Sequence, residues 1–275
     1  MNHGVPIKLM NKAMEVFDEF FHLTPEEKED FPLKSDIKNV CRLYTSTYNY
    51  DVEEFHNWRD ALRAECTPLE ECMEFWPQKP ENFKEVIGEF VRSVKNLSSR
   101  MLERISEGLG LEPGYLGGEL SNDVAFTVNH YPPCPDPSLT IGLQEHTDAT
   151  VITIIHSGNV PGFQFVKDGQ WHSIETPPDT LLVFMGSQIE VISNGMLKGV
   201  QHRVASNKEG RYSVVFFVYP TQECIVEPAK AILQANGSPT HYRSFQYKDF
   251  FKAYAGPKPK GMQVDDVVQE LVINP

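Results

Sequence analysis

Two hydrophobic periods divide the chain. Over residues 7–22 and again over 83–105 apolar residues recur every three or four positions; from Val124 onward they alternate or run in short blocks between turn dipeptides. Leu9, Ala13, Val16, Phe17 and Phe20 predict a helix over 7–22. Thr24-Pro25-Glu26-Glu27 then reads as a new helix start, with Thr24 as N-cap, Pro25 as first helical residue and Glu27 as the returning carboxylate of a capping box. Phe83, Ile87, Phe90, Val94, Leu97, Met101 and Ile105 predict the longest helix, which Gly108 and Gly110 end. A single apolar stripe of this kind suits a helix braced against a sheet. The stretch 40–75 reads as irregular and aromatic, with Tyr44, Tyr48, Tyr50, Phe55 and Trp58 as packing residues.

From Val124 onward the pattern predicts consecutive antiparallel strands, a sandwich or closed jelly roll. Asp168-Gly169 is expected to turn one tight hairpin and Asn194-Gly195 another, the latter between strands Ile189–Ile192 and Met196–Leu197. Alternation places Thr127, Asn129 and Tyr131 on one face of a strand that Pro132-Pro133 ends, and Arg211, Ser213, Val215, Phe217 and Tyr219 on one face of another. Both faces are expected to line a cavity. After Pro228, a short helix and the rings of Phe245, Tyr247, Phe250 and Phe251 are expected to cover one end of the barrel.

Chemistry enters with His146-Thr147-Asp148. On a strand, positions i and i+2 share a face, so both side chains can grip one ion while Thr147 points away. With 9 histidines in the chain, on the order of 0.4 such triplets would arise by chance, so the triplet needs a partner. His202 supplies it, within the strand-like run Gly199–Val204. Two imidazoles and one carboxylate leave three positions of an octahedral Fe(II) free, whereas a zinc site is normally closed further. Arg211-x-Ser213 follows at strand spacing, and a guanidinium with a hydroxyl on one face makes a charge-assisted clamp for a carboxylate. A buried guanidinium also needs an anion. Metal plus clamp describes a 2-oxo acid.

His146-Thr147-Asp148, His202-Arg203-Val204, Arg211-Tyr212-Ser213 and Asn129-His130-Tyr131-Pro132-Pro133-Cys134-Pro135, in that register, resemble the plant 2-oxoglutarate- and Fe(II)-dependent dioxygenases over essentially the whole chain. Tyr131–Ser138, Ile225–Lys230 and Tyr242–Tyr247 are similar to the branch that contains hyoscyamine 6β-hydroxylase. The resemblance implies a double-stranded β-helix (a jelly roll, cupin-like) flanked by helices, in a mainly β chain. It implies iron held by His146, Asp148 and His202, and 2-oxoglutarate held by Arg211 and Ser213 with Tyr131 and Asn129 in contact. Dioxygen would be the oxidant, ascorbate the accessory reductant, and succinate and CO2 the by-products. The implied reaction hydroxylates, desaturates or epoxidises a small specialised metabolite such as an alkaloid or phenolic. An ascorbate-dependent oxidase of the same fold and a non-catalytic metal-binding jelly roll are the alternatives. Residues 1–115 then form a helical and irregular N-terminal region, 120–225 the catalytic jelly roll, and 226–275 a covering helix and tail. Asn2–Pro6 resembles a segment inside the family's N-terminal region, so a first strand and helix are expected to be missing ahead of it. The chain departs from the family at Gln144-Glu145 and at Ser187, where Asp is common.

Composition narrows the partners. A net charge of −13 lacks the clustered Lys and Arg that bind polyanions, so nucleic acid and anionic membranes are not expected partners. No apolar run approaches a membrane span. Five scattered cysteines without a Cys-x-x-Cys pair predict neither a disulfide framework nor a zinc knuckle and fit a reducing cytoplasm. The expected partner is a small molecule, and the expected state a monomer. Gly186-Ser187 lacks the flanks of a hydrolase nucleophile elbow, and no phosphate loop or dinucleotide fingerprint occurs.

Overall fold

The computed structural model describes residues 2–29, 40–46, 56–256 and 264–273. In chain order the elements are α1 (Ile7–His22), α2 (Pro25–Glu29), β1 (Cys41–Thr45), β2 (Asp60–Glu65), α3 (Leu69–Met73), α4 (Phe83–Gly108), β3 (Asp123–Tyr131), β4 (Ile141–His146), β5 (Ile152–His156), β6 (Phe163–Lys167), β7 (Gln170–Ser173), β8 (Leu182–Met185), α5 (Ser187–Ile192), β9 (His202–Ala205), β10 (Arg211–Tyr219), β11 (Ile225–Val226), α6 (Lys230–Asn236), β12 (Phe245–Gln246), α7 (Tyr247–Ala255) and α8 (Val264–Gln269). A six-stranded sheet in the order β1-β2-β3-β10-β5-β8 and a four-stranded sheet in the order β4-β9-β6-β7 form the double-stranded β-helix. Every pairing within the two sheets is antiparallel.

The larger sheet has a dry face and a cavity face, and strand alternation decides which residue goes where. Phe126 and Val128 of β3, with Val214, Phe216 and Val218 of β10, are fully buried against the helices. The Phe216 ring meets Phe90 of α4 edge-on at 5.1 Å, and Phe126 meets Phe17 of α1 at 5.9 Å. Each such ring contributes roughly 1.5–3 kcal/mol by leaving water, so α1 and α4 pin the sheet from behind. The opposite face carries Thr127, Asn129, Tyr131, Ser213, Val215, Phe217 and Tyr219 into the cavity.

The helix starts and stops follow local chemistry. Thr24 Oγ1 accepts from the Glu27 amide at 3.3 Å while Glu27 Oε2 accepts from the Thr24 amide at 3.0 Å, the reciprocal capping box. Asp168 and Gly169, both at positive φ (51° and 73°), turn the β6–β7 hairpin.

Three expectations need correction. Ile189–Ile192 is not a strand: Ser187–Ile192 is the short helix α5, and Asn194 and Gly195, at φ 52° and 84°, end it instead of turning a hairpin. Burial decides this, because Ile189, Val191 and Ile192 are all enclosed in the core on a single helical turn. The stretch 40–75 is also more regular than expected, since β1 and β2 extend the larger sheet at its edge. Of its aromatic residues Tyr44 lines the cavity and Trp58 is 38% exposed, while Tyr48, Tyr50 and Phe55 lie outside the described residues. Finally, β4 stops at His146, so Asp148 sits just past the strand end. Among the described residues, no helix is long and apolar enough to cross a membrane.

Candidate active site

His146 and His202 are direct partners in the β4–β9 ladder, so their imidazoles lie side by side with ring centroids 4.3 Å apart. Asp148 reaches the same point from the turn beyond β4: its Oδ1 is 3.4 Å from His146 Nε2 and 3.9 Å from His202 Nε2. One ligand atom from each of the three residues lies within 4.8 Å of the other two. His202 is sandwiched by Phe163, whose ring stacks on it at 5.2 Å, and Phe184 at 4.6 Å.

Hydrogen bonds set the ligand-competent forms. His146 Nδ1 is 2.8 Å from the Gln144 carbonyl and His202 Nδ1 is 2.8 Å from the Val200 carbonyl. A carbonyl only accepts, so each Nδ1 carries the proton and each Nε2 keeps its lone pair for a metal. Burial, aided by the charge of His146, pushes His202 down to about 4, which keeps it neutral at pH 7. Burial pulls the Asp148 carboxyl up, but the two imidazoles beside it and the hydrogen bond from Thr153 outweigh burial and hold it at about 2. Thr153 Oγ1 donates to Asp148 Oδ2 at 2.7 Å and fixes the carboxylate's orientation. Two imidazoles that present Nε2 and an ionised carboxylate are the donor set that suits Fe(II).

Arg211 and Ser213 stand on β10 opposite Tyr131 and Asn129 of β3. Arg211 is 4% exposed; its Nε donates to the Val160 carbonyl at 3.1 Å and its Nη2 to the Ser157 carbonyl at 3.0 Å. Its Nη1 is buried without a hydrogen-bond partner. Burial lowers its pKa while Tyr131 acts against that. An orphaned guanidinium nitrogen aimed into a cavity beside a buried hydroxyl fits the far carboxylate of 2-oxoglutarate, which would satisfy both.

The two clusters open onto one cavity of about 950 Å³, which also touches Leu143, Ile155, Val215, Phe217, Tyr219 and Phe251. Tyr219 stacks on Tyr247 at 6.1 Å, and the Tyr247 hydroxyl donates to the Ala149 carbonyl at 2.9 Å, so α7 closes the wall beside the metal ligands. Sequence reading missed Arg59, which immediately precedes β2, and Arg63 and Glu65 of β2, all of which line the same cavity. The alternation Arg59-x-Ala61-x-Arg63-x-Glu65 was the signal, with its polarity inverted because the charged face lines a pocket and Leu62 and Ala64 face the core. Glu145 is exposed, and Ser187 is buried with its amide donating to the Asp148 carbonyl at 2.8 Å.

A double-stranded β-helix with a two-histidine, one-aspartate cluster at one mouth and a buried arginine behind it defines a mononuclear non-haem iron oxygenase. The chain belongs to the 2OG-Fe(II) oxygenase superfamily, whose family model matches residues 122–220, while residues 1–81 match the N-terminal region of the non-haem dioxygenases of morphine synthesis. It is 39% identical to flavanone 3-dioxygenase 2 of Oryza sativa subsp. japonica over 92% of this chain and 74% of that protein. It is 37% identical to hyoscyamine 6-dioxygenase of Hyoscyamus niger over 94% of this chain and 78% of that protein. Among solved structures it is similar to JOX2 in complex with 2OG, Fe and JA, at TM-score 0.87 and 28% identity, over 100% of this chain and 81% of that one. The protein is an Fe(II)- and 2-oxoglutarate-dependent dioxygenase.

Proposed function

We propose that the chain oxidises a small specialised metabolite, an alkaloid or a phenolic, by hydroxylation, with desaturation or epoxidation where a second hydrogen is removed. One observation carries this reading: the cavity continues past His146, Asp148 and Arg211 to Phe217, Tyr219 and Phe251, leaving room beside the cosubstrate for a second, largely apolar molecule. The names of two relatives, a flavanone dioxygenase and a hyoscyamine dioxygenase, support the range from phenolic to alkaloid.

When bound, Fe(II) couples decarboxylation of 2-oxoglutarate to reduction of dioxygen. Arg211 and Ser213 hold the cosubstrate's distal carboxylate, Thr153 keeps the Asp148 carboxylate aimed at the metal, and Phe163 and Phe184 keep water from His202. The aromatic wall formed by Phe217, Tyr219 and Phe251 orients the substrate's C–H bond. The test is succinate release from the Fe(II)-loaded protein, with 2-oxoglutarate, across a panel of phenolics and alkaloids. Release stimulated by one of them, with that compound gaining one oxygen or losing two hydrogens, is the expected result. Turnover that needs ascorbate and ignores 2-oxoglutarate would replace the reading with an ascorbate-type oxidase.

A further inference from the structure

The strand that delivers His146 is irregular just before that ligand. From Leu143 to His146 β4 advances three residues while β9 advances two, from Val204 to His202, so one extra residue is bulged out of the ladder. A bulge re-aims the side chain beside it. Here the Gln144 carbonyl turns to His146 Nδ1, at 2.8 Å, and the Gln144 amide turns to the side chain of Asn57, at 2.9 Å. A peptide N–H only donates, so the Asn57 atom that faces it is Oδ1.

Asn57 is itself firmly held. β4 is the edge of the four-stranded sheet, paired with β9 alone among the described residues, and the segment Asn57-Trp58-Arg59 runs along its open side. The Trp58 amide donates to the Ile141 carbonyl at 2.8 Å, and the Trp58 ring nitrogen to the Pro132 carbonyl at 3.0 Å. Behind the segment, the Asn57 amide donates to Ser46 Oγ at 2.7 Å and the Ser46 amide to the Arg59 carbonyl at 2.7 Å. Asn57 and Ser46 are both buried. The segment therefore ties the β1–β2 end of the larger sheet to the edge that carries an iron ligand.

His202 uses the same device with a different anchor. Its Nδ1 also meets the carbonyl two residues back, that of Val200, and the Val200 amide is held by the Met185 carbonyl at 3.1 Å. The anchor there is backbone; at His146 it is one side chain, so substitution can remove it. Loss of the Asn57 acceptor frees the Gln144 backbone to turn, and its carbonyl then leaves His146 Nδ1. The ring proton is no longer confined to that nitrogen, and a ring protonated on Nε2 has no lone pair there for a metal.

We infer that Asn57 is a positioning residue for the iron centre: by accepting from the Gln144 amide it holds the β4 bulge, whose carbonyl keeps the His146 proton on Nδ1 and leaves Nε2 open to the metal. This holds whatever the substrate is.

The test reads histidine tautomers in the metal-free protein and Fe(II) affinity by competition with a chromophoric chelator. Tautomers are followed by long-range proton–nitrogen correlation in mildly alkaline buffer, with His146 and His202 each assigned through its Gln variant. Asn57→Leu keeps the volume and removes the acceptor, whereas Asn57→Asp keeps the oxygen. In Asn57→Leu the His146 proton is expected to spread onto Nε2 with His202 unchanged, and Fe(II) to bind roughly 10-fold or more weakly. Asn57→Asp should stay within about 3-fold of the wild type. A side chain that merely fills space predicts the opposite order, because a buried site accepts Leu more readily than a carboxylate. Wild-type iron affinity and an unchanged His146 signal in Asn57→Leu overturn the inference. So does Asn57→Asp binding iron as weakly as Asn57→Leu, or a His202 signal that moves together with that of His146, the mark of general loosening. Should Asn57→Leu show no cooperative urea transition, Asn57→Ala is read against the same criteria.

Discussion

Arg211 stands directly opposite Tyr131 in the β3–β10 ladder, with its guanidinium carbon 4.9 Å from the centre of the Tyr131 ring. The ring holds one face of the guanidinium, and the Ser157 and Val160 carbonyls hold two of its nitrogens. Only Nη1 lacks a partner. Arg211→Ala should therefore raise the dissociation constant of 2-oxoglutarate by about 100-fold, the ~3 kcal/mol typical of truncating one side of a buried charge pair. Arg211→Lys should recover only part of this, because a point charge cannot reproduce the fork. Anaerobic titration measures both, and equal affinities in wild type and Arg211→Ala would remove Arg211 from the cosubstrate site.

Thr153 touches no metal, yet it determines how Asp148 presents its carboxylate. Thr153→Val keeps the shape and deletes the 2.7 Å hydrogen bond to Oδ2. The expected outcome is Fe(II) affinity lower by roughly 10–100-fold, as for other groups that orient metal ligands, with little change in the urea midpoint of the metal-free protein. Competition with a chromophoric chelator reads the affinity directly, and an unchanged value would mean that packing alone holds Asp148.

Much of this was legible before any coordinates. The alternation through β3 and β10 is a local fact that survives folding, and His146 and Asp148 still meet at one point although Asp148 lies past the end of β4. What the sequence hid were decisions made by neighbours far away along the chain. Asp168-Gly169 and Asn194-Gly195 read alike, yet one turns a hairpin and the other ends a helix, because the preceding Ile189, Val191 and Ile192 are swallowed by the core as one turn. Arg59, Arg63 and Glu65 look like a solvent face, and only the pairing of β2 with β3 shows that this face lines the cavity.

Acid should weaken the metal-free fold. Burial lowers His130, His156 and His202 below the usual histidine value, His202 to about 4. A histidine depressed in the native state binds its proton first in the unfolded chain, so its stabilisation is complete above about pH 6.5 and falls as pH drops towards the native value. For His202 alone the loss between pH 7.5 and 5.0 is about 2 kcal/mol. Urea midpoints of the metal-free protein should fall over that range, and Fe(II), by holding His202 deprotonated, should reduce the drop. Identical pH slopes with and without metal would show that His202 is not held by it.

Gly186 links the fold to the metal through space. A Cβ at this position would lie 2.2 Å from both the carbonyl oxygen and the Oγ1 of Thr150. Those atoms are committed: the Thr150 carbonyl accepts from the Gln188 amide at 3.0 Å, and its hydroxyl is 2.9 Å from that of Thr153, the residue bonded to Asp148. Next to Gly186, the Ser187 amide holds the Asp148 carbonyl. Gly186→Ala must therefore displace either the start of α5 or the Thr150–Thr153–Asp148 chain, and buried overpacking of this kind costs typically 1–3 kcal/mol. The expected result is a lower urea midpoint together with Fe(II) binding weakened by more than about 10-fold. Thr150→Ala removes the hydroxyl but leaves the carbonyl, so adding it to Gly186→Ala should restore little of the stability. Full rescue by that second change would put the clash on the hydroxyl alone. Wild-type iron affinity in Gly186→Ala would show that Asp148 is insulated from the start of α5.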